Sequence, residues 1–173
     1  MTLYPRNKYS FSTALAHLRK HDLQLENLTD RVNIAIQNNS LPPVEGIFYD
    51  GQIFDAYSFV SDLVRSAKER IVLFDNYVDD TVLTMLDKRG ETVSAIIITK
   101  TISAQLALDL AKHNAQYRPI EVKEFDKVHD RFLCIDSTVY HIGASLKDLG
   151  KKWFAFSRME MKAEEVMKRT ESK

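Results

Sequence analysis

His129, Arg131 and Asp136 stand around one short apolar run, and Gly143, Ser145 and Lys147 follow a second. No other stretch of the chain gathers an imidazole, a guanidinium, a carboxylate and a hydroxyl so closely. Residues two apart on an extended strand point to one face, so His129 and Arg131 are expected to face the same way. There the guanidinium offers a fixed fork of donors to a phosphate, and the imidazole a nitrogen that titrates near neutrality. Asp136 has two readings: it orients the imidazole, or it serves the turn that ends its strand. If Arg131–Ile135 and Val139–Ile142 pair as a hairpin, the start of the first lies beside the end of the second. Ser145 and Lys147 are then expected to meet His129 in space.

The elements that must position these residues alternate along the chain. Ile47–Tyr49 reads as a short strand, and Phe54–Ser66 as a helix with Phe54, Tyr57, Val60, Leu63 and Val64 on one face. Ile71–Phe74 is a fully apolar run and Val93–Thr99 a largely apolar one, of the kind buried on both faces of a sheet. Helices are expected from Asp79 to Lys88 and from Ser103 to Gln116, with Asp79 and Asp80 suited to a positive helix start. Ile120–Phe125 is a further strand, and Met159–Lys168 reads as a charged terminal helix. This alternation implies an α/β domain with a mixed, mostly parallel sheet and helices on both faces. Ligands of such sheets bind beyond the carboxyl ends of the strands, where Asp75, Asn76, Tyr77 and Lys100 fall.

Ahead of this domain, Phe11, Ala14, Leu18, His21, Leu25, Leu28, Val32 and Ala35 are spaced by threes and fours. They predict an N-terminal helical segment that either lies on its own domain or pairs two chains. The expected organisation is a helical segment over 1–40, a linker over 41–46 carrying Pro42 and Pro43, an α/β domain over 47–157, and a charged helix and tail over 158–173.

His129-x-Arg131, then Asp136 after four residues and Gly143 after six more, resembles the His-x-Lys-x4-Asp-x6-Gly-Ser motif of the phospholipase D superfamily. The resemblance covers roughly residues 46–157. The wording around Gly143–Trp153 is similar to phospholipase-D-like domains at the ends of bacterial and mobile-element DNA-binding proteins. It implies that His129 is a nucleophile forming a phosphohistidine, that Arg131 binds phosphate oxygens, and that Asp136 is the motif aspartate, with neither metal nor cofactor required. Covalent chemistry of that kind divides one hard displacement into two easier ones. Arg131 stands where the motif has lysine, and Gly143-Ala144 where it has Gly-Ser, with Ser145 one residue later. A single motif supplies one histidine, so two per site imply a symmetric homodimer. Neither His113 nor His141 lies in a second copy; His113 reads as a solvated helix residue and His141 as a structural or edge one.

The 24 basic and 24 acidic side chains of the 173 residues cancel, so a nucleic-acid partner requires a local patch. Lys147, Lys151, Lys152 and Arg158 after the motif, with Lys123 and Lys127 before it, could form one. Tyr77, Trp153 and Phe154 could stack on bases if exposed. One cysteine, Cys134, inside an apolar run, suggests a buried side chain and a reducing compartment. No apolar stretch approaches the ~20 residues of a membrane span, and the N-terminus lacks a signal-peptide core. The expectation is a cytoplasmic protein without membrane contact. Three functions fit. The chain is a catalytically degenerate relative that binds a phosphodiester, DNA first, through the His129, Arg131 and Asp136 motif, with Arg131, Ser145 and Lys147 on the phosphate; it is a metal-independent nuclease or phosphodiesterase assembled across a homodimer; or it is a non-catalytic protein-interaction module.

Overall fold

The structure, a computed structural model, describes Leu15 and residues 17–22, 24–25 and 43–171. Of the N-terminal segment, the described residues are helical. The rest of the Phe11–Ala35 series, and with it the expected self-association of residues 1–40, lies outside the described residues. Pro42–Lys173 forms one compact unit.

That unit is a seven-stranded sheet: β1 (Glu45–Phe48), β2 (Arg70–Phe74), β3 (Ser94–Thr99), β4 (Ile120–Glu124), β5 (Arg131–Ile135), β6 (Thr138–Ile142) and β7 (Phe154–Lys162). The spatial order is β1-β7-β6-β5-β2-β3-β4. Four helices complete it: α1 (Ile53–Ser66), α2 (Asp80–Leu86), α3 (Ala104–Gln116) and α4 (Ala163–Glu171). The mixed α/β class is as the alternation predicts. The expected majority of parallel pairing is not. Only β2–β3 and β3–β4 run parallel, whereas β2–β5, β5–β6, β6–β7 and β1–β7 are antiparallel. A parallel pair needs a long crossover, and after β4 no α-helix intervenes until the sheet is complete.

Strand alternation sorts the core into two layers. Ile71, Leu73, Ile97, Leu133 and Ile142 face α1 and α2, which bury Ala56, Val60, Leu63, Val82, Leu83 and Leu86 against them. Val72, Phe74, Ile98, Cys134 and Val139 face the other way, beneath Ala163, Val166 and Met167 of α4. Helices therefore do cover both faces. Asp79 caps α2, accepting from the Thr81 N–H at 3.1 Å, and Ser103 caps α3, accepting from Leu106 at 3.1 Å. No described helix is long and apolar enough to cross a membrane.

Two further expectations need correction. Residues Met159–Lys162 are strand, not helix: Arg158, Glu160 and Lys162 alternate with Met159 and Met161, and β7 extends the sheet to β1. His113 is not a solvated residue. Its side chain is 8% exposed, with Nε2 2.9 Å from Asp87 Oδ2 at the end of α2 and its ring against Tyr117. Beside it the buried Arg89 donates to the carbonyls of Leu86, Val93, Arg118 and Pro119 at 2.9–3.1 Å, locking α2 to the connection between α3 and β4.

Candidate functional site

The carboxyl end of β2 is where three distant segments converge. Asp75 is 2% exposed, and a buried carboxylate must find donors. Its Oδ2 accepts from the Ser145 hydroxyl at 2.8 Å and the Leu146 N–H at 2.9 Å, and its Oδ1 accepts from the Tyr77 N–H at 3.0 Å. Asn76 joins the other side: its amide donates to the Val128 carbonyl at 2.9 Å and accepts from the Lys100 N–H at 2.8 Å. Because β5 and β6 are antiparallel, the turn after β6 returns to the end where β5 begins. It then follows a 3-10 turn, Leu146–Asp148, and reaches Trp153.

On this platform Tyr77 separates two open depressions. One, of about 520 Å3, is lined by Tyr77, Arg131, Gly143, Ala144, Ser145, Lys147, Asp148, Lys151, Lys152 and Trp153. The Arg131 guanidinium lies over the Tyr77 ring, 5.5 Å from its centre, an arrangement that attracts cation to π face. Asp148 is the carboxylate of this depression, and Lys151 bonds it at 2.7 Å. That bond, outweighing desolvation, holds the Asp148 carboxyl below its ordinary range. The second depression, about 540 Å3, is lined by Asn76, Tyr77, Lys100, Thr101, Asp126, Lys127, Val128 and His129.

His129 precedes β5 rather than lying in it, so strand alternation does not align it with Arg131. The two residues line different depressions, and Ser145 and Lys147 share one with Arg131, not with His129. The His129 side chain is 97% exposed, with Nδ1 3.2 Å from Asp130 Oδ1. The other Asp130 oxygen is 3.8 Å from His141 Nε2, so one carboxylate stands between two imidazoles. The hydrogen bond from His129, reinforced by the charges of His141 and Arg131, lowers the Asp130 pKa. His141 is on an interior strand, half-buried beside Phe132, and not at an edge.

Asp136 is not brought to the imidazole. It closes the β5–β6 turn at the far end of β5, about 17 Å from Arg131 at ~3.3 Å per residue. Its carboxylate accepts from the backbone N–H groups of Lys68, Glu69 and Arg70 at 2.8–3.2 Å. Burial alone would raise its pKa, but those donors and the Arg70 guanidinium lower it. Ser145 is placed in the depression but is 5% exposed, and its proton goes to Asp75. It positions the wall rather than donating to a ligand. Of the expected basic residues, Lys147, Lys151 and Lys152 gather around Arg131 and Lys127 beside His129; Lys123 pairs with Glu121 and Arg158 lines a separate hollow. Tyr77 and Trp153 are exposed, whereas Phe154 is buried. Asn76, which the sequence places with Asp75 and Tyr77 beyond the end of an apolar strand, is a positioning residue outside the motif. Among the described residues no group of three His, Cys, Asp or Glu side chains is disposed to hold a metal.

No protein-family model and no curated protein matches the sequence. Solved structures do. Phosphatidylserine synthase from Haemophilus influenzae matches with a TM-score of 0.52 and 14% identity, over 68% of this chain and 34% of that one. NucT from Helicobacter pylori matches with a TM-score of 0.50 and 12% identity, over 73% and 91%. TrmBL2, an archaeal chromatin protein described with a novel mode of DNA binding, matches with a TM-score of 0.49 and 14% identity, over 92% and 61%. The chain thus spans about a third of the synthase and three fifths of the chromatin protein. At these identities what the chain shares with NucT and the synthase is the fold alone, a mixed α/β fold of the phospholipase-D-like kind.

Proposed function

We propose that this domain binds the phosphodiester backbone of a nucleic acid, DNA first, in the depression beside Tyr77. The observation that carries the reading is the gathering of Arg131, Lys147, Lys151 and Lys152 around one hollow of about 520 Å3, in a chain whose charges cancel overall. Its one carboxylate, Asp148, is already bonded to Lys151. Arg131 is held by the Tyr77 ring, so its fork is presented with little freedom to lose on binding a phosphate. A fluorescence-anisotropy titration of a labelled oligonucleotide across a salt series tests this. Arg131→Ala and Lys147→Ala should each weaken binding and flatten the slope of log affinity against log salt by about 1. No binding even near 50 mM salt, where phosphate contacts are strong, refutes it.

A second reading, a metal-independent phosphodiesterase, is favoured by His129. Its ring is exposed, and Asp130 at Nδ1 leaves Nε2 as the nitrogen that could attack. In that reading Nε2 attacks phosphorus and expels an alkoxide, which takes a proton from a second histidine supplied by a homodimeric partner. Water then cleaves the phosphohistidine. Hydrolysis of bis-nitrophenyl phosphate in EDTA, abolished by His129→Ala, is the expected result. Turnover that survives His129→Ala eliminates this reading and leaves the binding site untouched.

A further inference from the structure

Trp153 is the chain's one tryptophan, and it is 66% exposed. A large aromatic left in water is usually either mobile or waiting for a partner, and this one is held still. Tyr49 meets it edge-on, with ring centres 4.6 Å apart and planes at 83°, and its indole N–H donates to the Asp50 carboxylate. Tyr49 and Asp50 thus hold the side chain while about two thirds of it remains open to solvent. Gly150 fixes the segment that carries it, since a Cβ there would lie 2.6 Å from the Gln52 carbonyl oxygen and from Ile53 Cα. The same ring lines the depression that holds Arg131, Lys147 and Lys152.

A fixed π surface beside a cluster of cations matches a ligand that offers a flat base and a phosphate within one nucleotide. In a duplex each base already has stacking neighbours on both faces and a paired edge, so such a surface is reached only by strands whose bases are free. Resting on the phosphate-binding reading above, we propose that Trp153 is a base-stacking platform and that the ligand class of this site is single-stranded nucleic acid. Tyr77 lines the same depression, but Arg131 already lies over its ring, so the stacking falls chiefly to Trp153.

Excitation of Trp153 near 295 nm reads the contact directly, because no second tryptophan contributes. The probes are short DNA and RNA strands of equal length, the same DNA as a duplex, and an abasic strand with the same number of phosphates. A quench of Trp153 by either single strand, with the abasic strand and the duplex binding roughly tenfold to a hundredfold more weakly, is expected. Trp153→Ala should lose that margin without changing the salt slope, and Trp153→Phe should restore most of it. The tighter of the two strands identifies the sugar, and either supports the proposal. Equal affinity for the abasic strand or the duplex, with Arg131-dependent binding intact and no quench, overturns the stacking role alone. Absence of binding by every probe at low salt overturns the phosphate reading and this one with it.

Discussion

Replacing Asp136 separates a structural carboxylate from a member of the site. Its side chain gathers the N–H groups of Lys68, Glu69 and Arg70, its own N–H donates to the Arg70 carbonyl at 2.9 Å, and its backbone sits at φ 52. A hydrogen bond to a charged group is worth about 1.5–3 kcal/mol when buried, but these donors are partly solvated and water recovers a share. Taken together, Asp136→Ala should lose about 2–3 kcal/mol from the bonds and about 1 kcal/mol from forcing alanine into the left-handed region. Asp136→Asn keeps the turn conformation and one acceptor, and should lose about 1–2 kcal/mol. For a domain of this size about 3–4 °C of Tm accompanies each kcal/mol, so the alanine variant should melt roughly 10 °C below the wild type. The folded carboxyl titrates below its unfolded value, so its stabilisation is complete above the unfolded pKa of about 3.9 and disappears as pH falls through the folded value. The wild-type advantage over Asp136→Asn should therefore persist at pH 6–8 and close below about pH 4. Thermal melts followed by circular dichroism across that range measure it, alongside oligonucleotide affinity well below the transition. An Asp136→Asn protein that melts with the wild type but has lost oligonucleotide binding or turnover refutes the reasoning, because the charge would then act in the site and not in the turn.

Gly150→Ala should cost about 1–2 kcal/mol for its φ of 69 and more for the 2.6 Å approach to backbone atoms of Gln52 and Ile53, whereas Gly51→Ala, at φ 85 with nothing within 4 Å, should show the conformational part alone. Urea titration of the two variants isolates the clash, and equal losses would contradict the close approach. Cys134 is 1% exposed and burial pushes its thiol up to about 12, so a thiol reagent at pH 8 should modify it only after unfolding; fast modification of the native protein would contradict the packing.

What was legible in the sequence was what depends on near neighbours. Ile71–Phe74 and Val93–Thr99 read as buried strands because largely apolar runs of that length have few alternatives, and the hairpin of β5 and β6 follows from the shortness of the connection between them, Asp136 and Ser137. The β7 strand was obscured because its charged half, Arg158–Lys162, resembles a solvated helix when its pairing with β6 is unseen. His113 looked like a surface residue for the same reason: its partner, Asp87, comes from a segment that only the fold brings to it. In the site, Arg131 and Lys147 were indicated by local spacing. The partner of Ser145 is Asp75, seventy positions earlier, so its burial could not be read from the motif. Nor could the exposure of Trp153 beside the burial of Phe154, neighbours of similar type, be read before the sheet face was known.

The bonds of Asp75 to Ser145, Leu146 and Tyr77 have a kinetic consequence. They fasten the start of the loop after β6 to the end of β2, so the segment leading into Lys147 is a floor anchored to the sheet. Ligand arrival at such a floor involves no loop closure, so encounter is governed by diffusion and charge, and salt acts mainly on the association rate. Residence time is then set by contacts made after arrival. Charge reversal at the rim and substitution of the ring should accordingly register in different phases of a stopped-flow experiment, the first in arrival and the second in escape.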